Sequence, residues 1–282
     1  MSFTDSPLIA LDIDGTILHH DGHLTERVVS SIRAVAATNA HVMIATGRSI
    51  RDTLPIIEAV GLSRDGGYAV CCNGAITIQL DSSAPGGYRL HQVTTFDARP
   101  SVEILQRELP DLLIAVETPN DGVKVNAHFP EPEFAASQRV VSPQELLEGE
   151  AVRVTVRDLG SEPEDFAQVI AAAGLHGTNY SIGFSAWLDL APEGVSKAFG
   201  LEEVRQLLGV DPLNTVAIGD QRNDLEMLAW AELGVAMGQA PQEVIAAANR
   251  TTGAVVDDGL ADILDELLSL IPNAGQGVPT HE

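Results

Sequence analysis

The stretch that decides the fold reads Leu8-Ile9-Ala10-Leu11-Asp12-Ile13-Asp14-Gly15-Thr16, an apolar run that ends in two carboxylates, a glycine and a threonine. Such a run is typical of a strand buried inside a parallel sheet. Open α/β sheets bind their ligands at the carboxyl ends of the strands, where Asp12 and Asp14 lie. In a regular strand, two residues this far apart project to the same side. Two anions held together favour a divalent cation between them, and Mg²⁺ takes oxygen ligands of this type.

Three later segments place polar residues at comparable positions. A hydroxyl and free backbone N–H groups at a strand-to-helix turn suit a phosphate oxygen, and the end of the second apolar run has this composition. Only two lysines occur in the chain, and one of them lies at the start of a predicted helix. A further apolar run leads into acids at its carboxyl end. The residues concerned are Thr46, Gly47 and Arg48; then Lys197; then Asp220, Asn223 and Asp224.

Each motif taken alone has an ordinary structural explanation, as a polar turn, a helix cap or a solvated first turn. Taken together, the four strand ends are expected to converge on one edge of a parallel sheet. They would bring together a carboxylate nucleophile, a second acid, a hydroxyl, a cation and a metal ligand. That set matches phosphoryl transfer through an aspartyl-phosphate.

On these motifs the chain resembles the haloacid dehalogenase superfamily of phosphatases, in its Cof-type branch with a large cap inserted after the second motif. The resemblance extends from about Leu8 to about Leu270. It implies an α/β fold, with a Rossmann-like parallel-sheet core and an inserted α+β cap, an antiparallel sheet with helices on one face. The expected boundaries are residues 1–82 and 189–275 for the core, 83–188 for the cap and 276–282 for a frayed tail.

The resemblance also implies a role for each matched residue. Asp12 is the expected nucleophile, and Asp14 is the expected general acid and then base, with a main-chain carbonyl that ligates the metal. The expected cofactor is Mg²⁺, held by Asp12, Asp14, Asp220 and Asp224. Substrate contacts are expected from Thr46, Gly47, Arg48, Asn73, Lys197 and Asn223, of which Thr46 and Lys197 also count as catalytic. Two positions depart from the family pattern, Ala198 and Gln239, and both are expected to affect specificity rather than catalysis.

The amino-acid composition of the chain limits the classes of partner that are expected. Forty acids against sixteen basic residues give a formal charge of −24, so the chain has no basic footprint for nucleic acid. The two cysteines, Cys71 and Cys72, are adjacent, which predicts a reduced, cytoplasmic chain. The first residues show no signal-peptide pattern, and no apolar run reaches membrane-spanning length, so no membrane partner is expected.

Between a linker at residues 81–87 and a second crossing near 189–192, the sequence predicts the cap. Its strands are expected at 88–93, 112–117, 123–129, 151–157 and 180–188, and its helices at 102–108 and 163–173. A hairpin turn is expected at 119–122. Five residues of this region could face either the cleft or solvent: Glu117, Lys124, His128, Arg153 and Arg157.

The function predicted is Mg²⁺-dependent hydrolysis of a small phosphorylated metabolite, with sugar phosphates as the first expectation. A phosphomutase or phosphotransferase shares the same covalent step, and these motifs do not separate it from a phosphatase. A non-catalytic binding protein is the more distant alternative, because Asp12, Asp14 and Lys197 are all present. His19, His20 and His23 could bind a metal, but a solvated loop beside the site is the preferred interpretation. The substrate and the oligomeric state are not readable from the sequence.

Overall fold

The structure is a computed structural model that describes residues 3, 5–119, 122–130, 138–173, 178–182 and 186–271. The predicted tail at 276–282 and the centre of the predicted turn at 119–122 lie outside these residues. In the part of the chain that is described, no helix is long and apolar enough to cross a membrane.

The described strands fall into two sheets. They are β1 (Leu8–Leu11), β2 (His41–Ala45), β3 (Tyr68–Cys71), β4 (Ile76–Leu80), β5 (Tyr88–Val93), β6 (Leu113–Thr118), β7 (Gly122–Val125), β8 (Gln138–Val140), β9 (Arg153–Arg157), β10 (Thr178–Ile182), β11 (Trp187–Pro192), β12 (Thr215–Gly219), β13 (Leu233–Ala236) and β14 (Arg250–Thr251). The helices are α1 (Glu26–Ala36), α2 (Ile50–Ala59), α3 (Arg99–Glu108), α4 (Pro143–Leu146), α5 (Pro163–Ala173), α6 (Lys197–Leu208), α7 (Leu225–Trp230), α8 (Gln242–Ala247) and α9 (Gly259–Leu270).

The larger sheet has eight strands in the order β14-β13-β12-β1-β2-β3-β4-β5. The pairs from β14 to β3 are parallel, and β4 and β5 extend the sheet in antiparallel register. Alternate residues of β1 point to opposite faces, so Ile9 and Leu11 pack with α1 and α9, while Leu8 and Ala10 pack with α6, α7 and α8. Helices therefore cover both faces, as a parallel sheet requires.

Helix α1 illustrates how local sequence sets these elements. Thr25 is its N-cap, and its side chain accepts a hydrogen bond from the Val28 N–H. Val28, Ile32 and Val35 are buried at helical spacing, which confirms the predicted apolar face. The helix is thereby fixed against β1 and β2 beneath the site.

The smaller sheet has six strands in the order β10-β11-β9-β6-β7-β8, all antiparallel except the β7–β8 pair. One face packs against α3 and α5, through residues such as Leu105 and Phe166. This confirms the predicted fold class, a parallel α/β core with a second, mainly antiparallel sheet covered by helices on one face.

Two predicted elements of the inserted region were wrong. Strand β5 was assigned to the cap, but it pairs with β4 in the larger sheet. The single strand expected at 180–188 is instead an antiparallel pair, β10 and β11, and β11 runs through the residues expected to form the second crossing. We therefore propose that the chain leaves the larger sheet after Val93 and returns after Pro192, rather than at 82/83 and 188/189.

Candidate active site

Asp12 follows the last residue of β1, at the carboxyl edge of the parallel sheet. Its backbone N–H donates to the carbonyl of Ile218 in β12 at 3.0 Å, so Asp12 continues the strand pairing although the regular strand has ended. The chain then turns sharply, because three successive N–H groups, at residues 16–18, donate to the carbonyl of Ile13. The Asp12 side chain is 6% exposed and reaches a cavity at this edge.

Lys197, at the first position of α6, joins two carboxylates. Its Nζ lies 2.6 Å from Asp12 Oδ1 and 2.7 Å from Asp224 Oδ1, and the Lys197 side chain is fully buried. Burial opposes the charge on Lys197, but the carboxylates of Asp12 and Asp224 outweigh it and raise the pKa of the ammonium above its ordinary value. The ammonium is therefore a fixed cation beside Asp12.

Asp224 uses its second oxygen to organise the turn after β12. Asp224 Oδ2 accepts hydrogen bonds from the backbone N–H groups of Asp220 and Gln221, both at 2.9 Å. Gly219 makes this possible, because a Cβ at that position would lie 2.4 Å from the Asp224 carboxyl carbon. With both oxygens engaged, Asp224 positions Lys197 and the Asp220 backbone.

The two carboxylate oxygens of Asp220 differ in their hydrogen bonding. Its Oδ2 accepts hydrogen bonds from Gln221 Nε2 at 3.1 Å and from Gln239 Nε2 at 3.2 Å. Its Oδ1 is buried without a hydrogen-bond partner among the described residues. Burial raises the pKa of Asp220 to about 7, and the nearby Asp224 carboxylate adds to the shift. An unpaired buried carboxylate oxygen needs a proton or a cation.

These acids fit a hard divalent cation. One oxygen from each of Asp12, Asp220 and Asp224 lies within 4.8 Å of the others. Burial raises the pKa of Asp12 well above its usual range, although Lys197 partly offsets this. Carboxylate oxygens are ligands that Mg²⁺ prefers, and a bound ion would compensate the charges that burial disfavours. The Asp14 carboxylate is outside this cluster, so only its main-chain carbonyl stays a predicted ligand.

Asp14 instead pairs with Arg48. Arg48 Nε donates to Asp14 Oδ2 at 2.9 Å, and Nη2 donates to Oδ1 at 2.6 Å. The Asp14 side chain is 57% exposed, and it lines the same cavity as Asp12. The hydrogen bonds from Arg48 to Asp14 raise the pKa of that guanidinium, despite its partial burial. The side chains of Asp12 and Asp14 thus have different environments, because β1 ends at Leu11 and the chain turns between these two residues.

The turn after β2 lies against the turn after β3. Thr46 is buried; its Oγ1 accepts from the Arg48 N–H at 3.1 Å, and its carbonyl accepts from the Asn73 N–H at 3.0 Å. Asn73 Oδ1 in turn accepts from Asn223 Nδ2 at 3.0 Å. The structure therefore brings Thr46, Gly47, Arg48, Asn73 and Asn223 into one connected group.

Gly74 sets the distance between this group and α6. Its φ is +99°, and a Cβ at that position would lie 1.9 Å from the carbonyl oxygen of Ser196. Ser196 directly precedes Lys197, so the turn at Gly74 supports the backbone that carries the buried ammonium. Only glycine permits this approach.

The cavity has a volume of about 470 Å³ and lies between the two sheets. On its wall from the smaller sheet, Arg153 of β9 donates to the carbonyl oxygen of Gly47 and, through Nη2 at 2.9 Å, to Glu117 Oε2. Burial disfavours the charge on Arg153, but Glu117 outweighs it and raises the pKa of the guanidinium. Arg153 and Glu117 therefore connect the smaller sheet to the turn of motif two.

Of the five residues left open between cleft and solvent, Arg153 lines the cavity and Glu117 pairs with it. Lys124 is buried and donates to the carbonyl of Glu148 at 2.9 Å, Arg157 donates to backbone carbonyls, and His128 is exposed. The loop at residues 19–22 also lines the cavity. Its histidines form no group that could share a metal ion in the described part of the chain.

Sequence reasoning missed Trp187, Asp189 and Gln221, which all line the cavity. The sequence placed Trp187 near the end of a predicted strand and Asp189 in the second crossing. Their direction toward the helix-free side of the smaller sheet follows only from the pairing of β11 with β9. Gln239 was expected to affect specificity rather than catalysis, but it contacts Asp220 of the carboxylate cluster. Its Nε2 donates to the Gly15 carbonyl at 2.6 Å as well as to Asp220.

The buried Asp12 carboxylate with its Lys197 partner, the cluster of carboxylate oxygens and the cavity lie together at the carboxyl edge of the larger sheet. The family model for haloacid dehalogenase-like hydrolases matches residues 9–264. The chain belongs to this family, which confirms the resemblance predicted from its motifs.

The chain is similar to 5-amino-6-(5-phospho-D-ribitylamino)uracil phosphatase YitU of Bacillus subtilis, with 28% identity over 93% of this chain and 98% of the relative. It is also similar to the phosphoglycolate phosphatase of Natronomonas pharaonis, with 29% identity over 91% and 96%. Among solved structures it is similar to BT1666 of Bacteroides thetaiotaomicron, described among phosphatases of the superfamily. That similarity has 27% identity and a TM-score of 0.75, and covers 95% of this chain and 96% of the other.

Proposed function

We propose that the protein is a Mg²⁺-dependent phosphatase that hydrolyses a small phosphorylated metabolite through an aspartyl-phosphate on Asp12. The observation that carries the proposal is the placement of Asp12, which lines the cavity while Lys197 Nζ holds its Oδ1 at 2.6 Å. The names of the relatives support the reaction class, and one of them acts on a phosphorylated ribityl compound.

In the first step, an Asp12 oxygen attacks phosphorus and the bond from phosphorus to the ester oxygen breaks. Asp14 gives its proton to the leaving oxygen. Lys197 holds Asp12 in place and favours its ionised form, and Thr46 and Asn223 are the proposed hydrogen-bond partners of the phosphoryl oxygens. In the second step, water attacks phosphorus, Asp14 takes a proton from that water, and the bond between Asp12 and phosphorus breaks.

We propose that Asp12 and Asp220 hold Mg²⁺ through their side chains, together with the main-chain carbonyl of Asp14. When bound, Mg²⁺ supplies positive charge to the phosphoryl oxygens. Asp224, predicted as a metal ligand, has both oxygens engaged by Lys197 and by the backbone N–H groups of Asp220 and Gln221, so we propose that it supports the metal site through these contacts.

A small phosphorylated metabolite is the proposed partner, and the net charge of −24 argues against nucleic acid. A cytoplasmic location stays a prediction; it rests on the two cysteines, which are free thiols buried at the end of β3 and in the turn after it.

The test is phosphate release from a panel of phosphomonoesters that includes p-nitrophenyl phosphate, with Mg²⁺ and with a chelator. Wild-type protein should release phosphate only with Mg²⁺. Asp12→Asn should lose at least about 10³-fold in kcat, because the nucleophile is removed. Asp111→Asn, in the exposed turn before β6, is the matched control and should keep wild-type rates.

Equal rates in wild type and Asp12→Asn would overturn the covalent mechanism. Little free phosphate, with transfer to a sugar hydroxyl that needs a bisphosphate activator, would show a phosphomutase instead. If the folded protein catalysed neither hydrolysis nor phosphoryl transfer, the non-catalytic binding protein would be the alternative that remains.

A further inference from the structure

The part of the cavity beyond the reacting groups has an unusual balance of charge. Its walls include two arginines, two histidines, three aspartates that are not proposed metal ligands, and one indole. These residues are Arg48, Arg153, His19, His20, Asp21, Asp52, Asp189 and Trp187. The leaving group of a substrate has to lie among them, because the phosphoryl group occupies the end at Asp12.

Both arginines already have carboxylate partners. Arg48 is held by Asp14 through two hydrogen bonds. Arg153 donates from Nε and Nη2 to Glu117 Oε2, at 3.2 and 2.9 Å, and from Nη1 to the Gly47 carbonyl oxygen. At the reacting end, Lys197 is shared between two carboxylates. None of these cations has surplus charge for a second anionic group of the substrate.

The hydrogen bonds to the aspartates, in contrast, come from neutral donors, although Asp189 lies close enough to the Arg153 guanidinium to raise the pKa of that group. Asp189 Oδ1 accepts from the Thr155 hydroxyl at 2.7 Å, and Oδ2 accepts from Trp187 Nε1 at 3.2 Å. Asp21 Oδ1 accepts from the His23 N–H at 2.9 Å. Asp52 lies in the first turn of α2, where the helix N-terminus offsets its charge. Asp189 and Asp21 therefore leave the cavity wall negative.

Trp187 places an aromatic surface beside Asp189. Its ring packs edge-on against Phe129, with centroids 5.9 Å apart and planes at 70°. An indole fixed in this way offers a face to the C–H groups of a carbon chain or sugar ring. Hydroxyl or ammonium groups on that chain can donate to the neighbouring Asp189, whereas a carboxylate or a second phosphate is repelled.

We propose that this cavity selects phosphomonoesters whose leaving group is a neutral polyol or an amine and rejects those with a second anion, with Asp189 as the specificity-determining residue. The proposal deepens the proposed phosphatase function and rests on it. It separates the two relatives by chemistry, since a ribityl group is a neutral polyol and phosphoglycolate carries a carboxylate.

The experiment compares pairs of compounds that differ only in a CH2OH group against a carboxylate: glucitol 6-phosphate with 6-phosphogluconate, and glycerol 3-phosphate with 3-phosphoglycerate. Glucosamine 6-phosphate, compared with glucose 6-phosphate, adds an amine. Each compound is measured at pH 8, where an ordinary imidazole is neutral. Turnover gives kcat/KM, and titration calorimetry on Asp12→Asn with Mg²⁺ gives Kd without requiring turnover.

For wild type, the neutral member of each pair should exceed the carboxylate member at least about tenfold in kcat/KM, and the same ratio should appear in Kd on Asp12→Asn. The kcat/KM for glucosamine 6-phosphate should be at least as high as that for glucose 6-phosphate. Asp189→Asn, which keeps the size of the side chain, should reduce the ratio at least about threefold, mainly through KM. Asp111→Asn removes the same charge from an exposed position outside the cavity and should leave the ratio unchanged.

Equal or tighter binding of the carboxylate members, or no saturable binding of any neutral member, would overturn the proposal. A ratio that Asp189→Asn leaves intact would overturn the role of Asp189. These outcomes differ from failure of the phosphatase function itself, in which wild type would release no phosphate from any compound, p-nitrophenyl phosphate included, while the binding ratio could still be measured.

Discussion

The guanidinium of Arg48 meets the carboxylate of Asp14 in a two-point contact, with Nε 2.9 Å from Oδ2 and Nη2 2.6 Å from Oδ1. The contact joins the motif that follows β1 to the motif that follows β2. A planar guanidinium fixes both the position and the plane of the carboxylate, which an ammonium does not do. We therefore infer that Arg48, expected from the sequence to contact substrate, orients Asp14, the proposed acid and base.

We expect Arg48→Lys to lower kcat about tenfold, because an ammonium lacks the planar pair of donors that matches both oxygens of one carboxylate. The loss should be larger for an alkyl phosphate than for p-nitrophenyl phosphate, whose leaving oxygen needs little protonation. Steady-state kinetics on the two substrates measure this difference. Arg107→Lys, on the exposed side of α3, is the control. An equal loss on both substrates would assign Arg48 to phosphate binding instead.

Lys197→Met should destabilise the protein by about 3–5 kcal/mol, because it leaves Asp12 and Asp224 buried without their cation. Urea unfolding at pH 7.5 with a chelator measures the change in the free energy of unfolding. The double variant Lys197→Met, Asp224→Asn should recover part of the loss, since one uncompensated charge is gone. A double variant less stable than the single one would contradict this account.

The contribution of Asp220 to stability without metal should fall as the pH rises from about 4 to about 7. The pKa of Asp220 is raised from 3.8 to about 7 in the folded protein, so over that range the folded state holds a proton that the unfolded chain has released. This is the reverse of a salt-bridged acid, whose stabilisation grows with pH. Thermal unfolding with a chelator between pH 4.5 and 8 measures it.

Mg²⁺ should therefore stabilise the protein more at pH 8 than at pH 5.5, because its ligands must be ionised. At a concentration far above Kd, the expected rise in Tm at pH 8 is about 5 °C. Asp220→Asn should abolish most of this rise. The same shift in Tm at both pH values would argue against Asp220 as a ligand.

Gly74→Ala should cost about 2 kcal/mol or more in the free energy of unfolding and should also reduce kcat. The new Cβ would lie 1.9 Å from the Ser196 carbonyl oxygen, and relief of this clash would move the backbone that carries Lys197. Gly87→Ala is the matched control, because its φ is also positive, at +81°, but a Cβ there would meet nothing within 4 Å. It should cost about 1 kcal/mol and leave kcat unchanged. Chemical unfolding measures the loss of stability in both variants, and phosphate release measures kcat. A loss of kcat in Gly74→Ala alone would distinguish displacement of the Lys197 backbone from local strain at a positive φ.

The site residues were predictable because each follows an apolar run, and parallel strands bring their carboxyl ends to one edge. This reasoning placed Asp12, Lys197 and Asp220 together, and the structure does bring them into one group. Their roles stay predictions until the variants are measured. The split between Asp12 and Asp14 was not predictable, because the alternation rule holds only while the strand continues, and β1 ends at Leu11.

The sequence by itself determined the parallel α/β sheet, the family and the residues at its active edge, because apolar periodicity and strand-end motifs are local properties of the chain. Only the tertiary structure decided that β5 belongs to the larger sheet and that Asp189 and Trp187 reach the cavity. Strand pairing and the direction of a side chain across a sheet depend on contacts between distant segments. The pairing of β11 with β9 turns Asp189 toward the cavity, and no local pattern records it.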